Sequence, residues 1–208
     1  MMKFFFASAL FLSTIQSGYA NPYSGVELLP FNDHGWYGNG PNIARLFQKH
    51  PIRVVVEIGS WMGSSTRHLA SMVPEGGMVY AVDHWLGSSE HIGGQERPYL
   101  HTLYQQFLSN VIHAKLTDKI TPVRMDSVSA ARALHHVVPD LIYLDGSHEY
   151  EAVYADLTAW FPFVKGHGVL CGDDWWWGTT REAIVQFAKE RNLRTIVEAN
   201  FWYFEEMD

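Results

Sequence analysis

Short apolar runs alternate with longer amphipathic stretches from Arg53 to the end of the chain. Apolar runs of roughly four to eight residues are typical of buried strands, and apolar residues three or four positions apart are typical of helices that pack on a sheet. The predicted strands are Arg53–Ile58, Met78–Asp83, Ile120–Arg124, Leu141–Leu144, Gly168–Cys171, Thr195–Glu198 and Phe201–Phe204. The predicted helices are Ser64–Val73, Pro98–Ala114, Ser127–His136, Tyr150–Phe161 and Thr179–Arg191.

This alternation predicts an α/β fold. Strands separated by helices form a mostly parallel sheet with helices on both faces, and the last two strands are close enough in sequence for an antiparallel hairpin. We therefore expect a Rossmann-like, doubly wound, seven-stranded sheet in a single domain over residues 21–208. Two segments rich in glycine and polar residues, Pro22–Pro51 and Gly87–Gly94, are expected either to cover a site at the carboxyl edge or to be ordinary surface loops.

The first twenty residues differ from the rest of the chain. Lys3 precedes an uncharged apolar run, Phe4–Ile15, and the small residues of Ser17–Ala20 follow it. This order is typical of a signal peptide, so residues 1–20 predict export to the periplasm or the medium. The alternatives are a first element of the fold or an uncleaved anchor, and the protein is cytoplasmic if the export interpretation is wrong.

Composition excludes some classes of partner. The formal net charge of -7 disfavours nucleic acid as a partner. The N-terminal apolar run is shorter than the roughly 20 residues that a stable membrane span needs. Cys171 is the only cysteine, so no internal disulfide forms, and its apolar surroundings indicate a buried structural thiol. The oligomeric state is left open.

An apolar strand runs directly into a turn with two glycines and then into a helix. Glycine in this turn, Glu57–Gly63, allows a tight backbone path and close approach of a ligand. Asp83 ends the next predicted strand, twenty residues after Gly63, where a carboxylate accepts ribose hydroxyls of an adenosine-containing cofactor. Glu57 suits the amino group of a methionine moiety and repels a phosphate, which favours a cofactor with a cationic amino-acid part over NAD. The alternative is that Glu57 and Asp83 only cap backbone groups.

These motifs resemble those of class I S-adenosylmethionine-dependent methyltransferases, with Glu57–Gly63 as the first motif and Asp83 as the second. In that class an acidic or polar residue after the third strand meets the adenine, and Asp126 and Ser127 occupy this position here. Their alternative role is to cap the following helix. The residues assigned to the cofactor are Glu57, Gly59, Ser60, Gly63, Ser64, Ser65, Asp83, Asp126, Ser127 and Asp145.

Acidic residues follow the fourth and fifth predicted strands. Asp145 follows the fourth, and Asp173 and Asp174 follow the fifth, which is its neighbour in a doubly wound sheet. Their mutual repulsion favours a bound cation, and oxygen ligands suit Mg²⁺ or another hard divalent ion. His148 is expected beside the metal as a general base. The alternatives are a helix cap at Asp145 and a solvated turn at Asp173 and Asp174.

This second region resembles the macrocin-type O-methyltransferases, which include sugar, macrolide and aminocoumarin methyltransferases and cephalosporin hydroxylase-like proteins. The similarity runs from about Pro30 to Asp208 and is densest at Val54–Asp83 and Leu141–Trp176. It implies a divalent metal on the three aspartates and His148 as the base. The aromatic run Trp175–Trp177 is expected to wall off water beside the substrate or to pack in the core.

The function expected from these observations is metal-assisted O-methylation of a small hydroxylated molecule. The first rival is a secreted effector-like or binding protein that keeps the methyltransferase fold without turnover, because S-adenosylmethionine is made in the cytosol. The second is an NAD-dependent oxidoreductase, which the glycine pattern and Glu57 disfavour.

Overall fold

The computed structural model describes residues 21–206 and brings the seven strands into one sheet. The strands are β1 (Val54–Ile58), β2 (Met78–Asp83), β3 (Ile120–Arg124), β4 (Leu141–Leu144), β5 (Val169–Gly172), β6 (Leu193–Glu198) and β7 (Phe201–Glu206). Their order is β3-β2-β1-β4-β5-β7-β6. The first five are parallel, and β7 pairs antiparallel with both β5 and β6. The predicted fold class is confirmed.

Helices cover both faces of this sheet. They are α1 (Gly40–Lys49), α2 (Ser64–Met72), α3 (Ser89–Gly93), α4 (Leu103–His113), α5 (Ser127–Ala133), α6 (Tyr150–Trp160) and α7 (Gly178–Glu190). The helix expected over Pro98–Ala114 begins instead as a 3-10 turn, Arg97–Thr102, before α4. Among the described residues, no helix has both the length and the apolar composition needed to cross a membrane. The predicted signal peptide, residues 1–20, lies outside the described residues.

Two of these helices lie in segments that the sequence pattern assigned to loops. The first of these segments, Pro22–Pro51, contains α1. This helix has a proline in its first turn and buries Ile43 and Leu46 against the sheet. Proline at the start of a helix is favourable, because that position needs no backbone N–H donor. The short α3 has Ser88 as its N-cap and forms a capping box with His91. Both helices were therefore not predicted, because their segments are rich in glycine and polar residues.

Two apolar cores lie on opposite faces of the sheet, because successive side chains of a strand point in opposite directions. Val55 packs in the core beneath α1, α2 and α4, whereas Val56 packs in the core beneath α5, α6 and α7. Cys171 is fully buried in the first core, and burial raises the pKa of its thiol. Both cores pack against the sheet below its carboxyl edge, and the acidic residues cluster at this edge.

Candidate active site

The turn after β1 is shaped by contact with the end of β4. Gly59 has φ +87°, and a Cβ atom built on it would lie 1.9 Å from the carbonyl oxygen of Asp145. The Gly59 N–H donates to Val82 O at 2.9 Å, and the Asp145 N–H donates to Ile58 O at 2.8 Å. A side chain at position 59 would therefore clash with the backbone after β4. The close backbone packing holds the ends of β1, β2 and β4 together.

Gly63 ends the turn and begins α2. Its φ of +83° lies in the left-handed region, and a Cβ atom there would lie 3.0 Å from the ring of Phe107. Ser64 and Ser65 form the first turn of α2, and Ser65 is buried. Glycine is therefore favoured at position 63 both by its backbone conformation and by the adjacent aromatic ring.

Glu57 is a fully buried carboxylate with one satisfied oxygen. Its Oε2 accepts a hydrogen bond from Ser60 Oγ at 2.7 Å and another from the hydroxyl of Thr66. Within residues 21–206, its buried Oε1 has no hydrogen-bond partner. Burial raises the pKa of Glu57, although the nearby hydroxyl groups of Ser65, Thr66 and Ser60 oppose the shift. A buried acceptor without a donor is costly, so this atom fits a ligand that brings an N–H or ammonium group.

Asp83 is held by the backbone on both sides. Its Oδ2 accepts from the Trp61 N–H at 3.0 Å, and its Oδ1 accepts from the Trp85 N–H at 2.6 Å. Burial raises the pKa of Asp83, and these two backbone bonds oppose the rise. The side chain keeps 14% exposure, and each oxygen has a further lone pair. Asp83 is consequently oriented and still able to accept hydrogen bonds from ribose hydroxyls.

Asp126 and Ser127 both have structural partners at the start of α5. Asp126 is exposed, and its Oδ1 accepts from the Ser129 N–H at 2.9 Å as an N-cap. This bond lowers the pKa of Asp126. Ser127 Oγ accepts from Trp160 Nε1 at 2.8 Å. Asp126 has the capping role considered for this pair, and the contact of Asp126 and Ser127 with adenine stays a prediction.

The three aspartates predicted to bind a metal come together at the ends of β4 and β5 but have other partners. Burial raises the pKa of Asp145 well above its ordinary value, and repulsion from Asp173 and Asp174 adds to the rise. Asp173 Oδ1 accepts from Asn200 Nδ2 at 2.6 Å and from the Asp174 N–H at 2.7 Å. In the described part of the chain, no three His, Cys, Asp or Glu side chains form a group that would hold a metal ion. This arrangement does not fit the predicted metal site.

His148 is clamped between two carboxylates. Its Nε2 lies 2.9 Å from Asp174 Oδ2, and its Nδ1 lies 2.9 Å from Glu90 Oε2. Its ring stacks on Trp177 with centroids 4.5 Å apart and planes at 10°. Burial lowers the pKa of His148, but the hydrogen bonds and charges of Asp174 and Glu90 outweigh it and raise the value to about 9. Both ring nitrogens therefore act as donors near neutral pH, and His148 accepts a proton only after one of these pairs opens and the ring releases one of its own protons.

Several site residues were missed in the sequence, and most come from the segment before β1. Asn39 Nδ2 donates to the hydroxyl of Tyr143 at 3.1 Å, and Asn39 also forms a hydrogen bond with Asp173. The Tyr37 hydroxyl lies 2.7 Å from His68 Nδ1. Burial raises the pKa of Tyr37, and the charge of Glu57 adds to the rise. The sequence indicated these residues only through the expected position of the Pro22–Pro51 segment over the carboxyl edge of the sheet. Their hydrogen-bond partners are far away in sequence and could not be predicted from local patterns.

Aromatic rings line the outer side of the glycine turn. Trp61 stacks on His91 with centroids 4.5 Å apart, and Trp36 lies 5.9 Å from Trp61. Trp36 is 63% exposed and Trp177 is 48% exposed, so both present open apolar surface. From the predicted aromatic run, Trp175 packs against the second core instead. The carboxyl edge of the sheet thus has polar side chains at the strand ends and exposed aromatic rings beside them.

A doubly wound sheet with a buried acid and glycine turn after its first strand and an oriented aspartate after its second defines a class I methyltransferase. A family model described as a methyltransferase domain matches residues 56–175. The chain belongs to this methyltransferase family.

Individual proteins are similar to this chain in sequence or in fold. The uncharacterized protein y4gI of Sinorhizobium fredii is 27% identical over 148 residues, which are 69% of this chain and 16% of that protein. The chain thus spans about a sixth of that relative. An O-methyltransferase from Bacillus cereus in complex with SAH is 16% identical with a TM-score of 0.61, over 84% of this chain and 83% of the other. The methyltransferase MycE from the mycinamycin pathway, in complex with Mg and SAH, is 18% identical with a TM-score of 0.55, over 80% and 49%. The two structures share the fold.

Proposed function

We propose that this protein is an S-adenosylmethionine-dependent methyltransferase that methylates a hydroxyl group of a small molecule. The observation that carries the proposal is the buried Oε1 of Glu57, which has no partner among the described residues and lies next to a glycine turn. The ammonium group of a methionine moiety would satisfy this atom, whereas a pyrophosphate would be repelled by it. The SAH bound by the Bacillus cereus neighbour is consistent with this cofactor.

The bound cofactor would supply a methyl group activated by a positively charged sulfur. Glu57 would hold the amino group, and Asp83, already oriented by the Trp61 and Trp85 N–H groups, would accept from the ribose hydroxyls. Because Gly59 packs against the end of β4 and its N–H donates to Val82 O in β2, the strand ends that carry these acceptors are fixed before the cofactor binds. Such preorganisation lowers the entropic barrier for a displacement that needs three atoms in line.

Methyl transfer forms a bond from the acceptor oxygen to the methyl carbon, breaks the carbon–sulfur bond and releases the hydroxyl proton. We propose His148 as the residue that takes this proton, once the contact with Asp174 or Glu90 has opened and the ring has released one of its two N–H protons to solvent. The exposed rings of Trp36 and Trp177 suit an acceptor with a flat or sugar-like face. The acidic cluster disfavours an acceptor that is itself strongly anionic.

Metal assistance by Mg²⁺ on Asp145, Asp173 and Asp174 stays a prediction from the sequence. Asp174 is engaged with His148 and Asp173 with Asn200, so no chemical step is assigned to a metal here. The presence of Mg in the complex of MycE is the reason to test metal dependence directly.

Export through residues 1–20 also remains part of the proposal. Because S-adenosylmethionine is made in the cytosol, an exported enzyme would have to work in a second cell that supplies it. A protein without turnover is the alternative, and a rate measurement distinguishes the two.

The decisive experiment is isothermal titration calorimetry with S-adenosylhomocysteine and with NAD. We expect heat with the first ligand only, and a loss of roughly 10- to 100-fold in affinity for Glu57→Gln, because a charge-assisted hydrogen bond is lost. Glu75→Gln, an exposed acid in the turn before β2, is the matched control and should bind like the unchanged protein. Heat with NAD alone would overturn the proposal. A methyl-transfer screen of small hydroxylated acceptors then identifies the substrate.

A further inference from the structure

Asn110 is a fully buried residue of α4 whose side-chain amide forms four hydrogen bonds. Its Nδ2 donates to Met62 O at 2.8 Å and to Asn32 O at 2.7 Å. Its Oδ1 accepts from the Asn32 N–H at 3.1 Å and from Gln106 Nε2 at 3.0 Å, so every donor and acceptor position of the amide is used. Met62 lies in the glycine turn after β1, whereas Asn32 lies in the segment before α1. One side chain therefore joins the predicted cofactor turn to a segment that is distant in sequence.

Arg67 of α2 makes a second link between the same two parts of the chain. Its Nη1 donates to Met62 O at 3.0 Å, so this carbonyl oxygen accepts from two side chains. The guanidinium group also pairs with Asp33, and its Cζ lies 5.0 Å from the centroid of the Phe31 ring. The Met62 carbonyl group is thus held by two side chains that each also hold the segment before α1.

We call residues 27–37 the strap. The side chain of Ser109, next to Asn110 on α4, also holds the strap, because its Oγ accepts from the Leu29 N–H at 3.1 Å. The Ser109 hydroxyl donates to Gln105 O at 2.8 Å, within α4 itself. Among residues 21–206, the hydrogen bonds of the Ser109 side chain therefore reach the strap and not the glycine turn. This difference separates a residue that only anchors the strap from one that connects it to the turn.

Beyond Asn32 the strap contacts the ring of Trp61, another residue of the glycine turn. A Cβ atom on Gly35 would lie 3.6 Å from Trp61 Cδ1, and the ring centroids of Trp36 and Trp61 are 5.9 Å apart. The Trp61 N–H is also one of the two donors that orient Asp83. The exposed ring of Trp36, which suits the acceptor, is therefore placed against the same turn that orients a predicted cofactor residue.

We propose that Asn110 and Arg67 are positioning residues that couple cofactor binding at the glycine turn to the placement of the strap. A cofactor held by Asp83 restrains the turn, and Met62 O within the turn holds both side chains. Restraint of one partner of a hydrogen bond lowers the entropy cost of ordering the other. The coupling is reciprocal, so an ordered strap also strengthens cofactor binding.

This inference rests on the proposed function and adds an order of assembly to it. Because the strap carries Trp36, the acceptor side of the site is completed only when the cofactor has restrained the turn. The cofactor therefore binds first and the acceptor second.

Hydrogen–deuterium exchange with mass spectrometry measures the coupling in the strap, with and without S-adenosylhomocysteine. In the unchanged protein the ligand should slow exchange of the strap at least about fivefold. In Asn110→Ala this ratio of rates should fall to about two or below, because only the Arg67 link remains, while calorimetry still detects binding. Ser109→Ala is the matched control, since it loses a contact with the strap and none with the turn. Its strap should exchange faster in both states and keep the original ratio.

A merely structural role for Asn110 would speed exchange equally with and without ligand. The unchanged ratio would overturn this inference, as would a strap that the bound ligand does not slow in the unchanged protein, and both results leave the proposed function intact. Failure of the unchanged protein to bind S-adenosylhomocysteine would overturn both. If Asn110→Ala does not fold, Arg67→Met serves as the second variant, because it removes the other link to Met62 O. It should lower the ratio at least about twofold, and an unchanged ratio there would also reject the inference.

Discussion

Gly59 and Asp145 touch through their backbones: a Cβ atom on Gly59 would lie 1.9 Å from the Asp145 carbonyl oxygen. The glycine turn that suggests a ligand site in the sequence is therefore first a packing requirement between β1 and β4. Because Glu57 lies on β1 just before this turn and Asp145 directly follows the neighbouring β4, the contact also sets the distance between two acidic groups of the site.

Gly59→Ala should destabilise the protein by at least about 3 kcal/mol, because the methyl group meets backbone atoms that cannot rotate away. Denaturant unfolding monitored by tryptophan fluorescence measures this change. Gly25→Ala is the matched control, since Gly25 also has a positive φ, +72°, but nothing lies within 4 Å of its Cβ position. That variant should lose only about 1 kcal/mol. Equal losses in both would mean that backbone conformation, and not the contact with Asp145, explains the glycine.

Asp156 should make stability depend on pH. Burial raises its pKa from 3.8 to about 6 on folding, so the folded protein holds the proton more tightly. The stabilisation is fully present below about pH 4, is lost as the pH rises to about 6, and amounts to at most about 3 kcal/mol. Asp156→Asn does not titrate, so the difference in unfolding free energy between the two proteins should change over this window. A constant difference from pH 4 to pH 7 would contradict the assignment.

Metal dependence has a direct test in the rate of methyl transfer. If the three aspartates bind Mg²⁺, EDTA should reduce the rate at least roughly tenfold, added Mg²⁺ should restore it, and Asp174→Ala should abolish the restoration. Asp118→Ala, an exposed aspartate before β3, is the control and should respond like the unchanged protein. A rate that is the same in EDTA and in Mg²⁺ would remove the metal from the mechanism.

Cleavage after Ala20 should give an exported protein that begins at Asn21. Mass spectrometry of the periplasmic and secreted fractions of a bacterial expression host measures the N-terminus. Ala20→Arg should block cleavage, because a signal peptidase requires a small residue there. A protein found only in the cytosol with residues 1–20 attached would reject export.

Much of the fold follows from local patterns. All seven strands and five of the helices were predicted, because strands buried on both faces and helices with one apolar face have distinct periodicities. The shared edge of Glu57, Asp83 and Asp145 was predicted because each lies at or next to the carboxyl end of an apolar strand, and the carboxyl ends of parallel strands share an edge. The helix α1 was missed, because its segment contains Gly, Asn and Pro and its buried face is short.

The partners of the site residues were not predictable in the same way. The contacts of His148 with Glu90, of Asp173 with Asn200 and of Asn39 with Tyr143 join residues from 27 to 104 positions apart. Nothing in the local sequence specifies such pairs, since they depend on how loops from different crossovers meet at the edge of the sheet.

The sequence by itself determined the order of strands and helices, the methyltransferase resemblance and the edge at which the acidic residues gather, because these follow from periodicity and strand ends. Only the tertiary structure decided which lone pairs stay free. It left Glu57 Oε1 without a partner among the described residues, gave both nitrogens of His148 to carboxylates, and brought Asp156 beside Ser127. Hydrogen bonding and desolvation depend on atoms that meet in space, and these set the chemistry of the site.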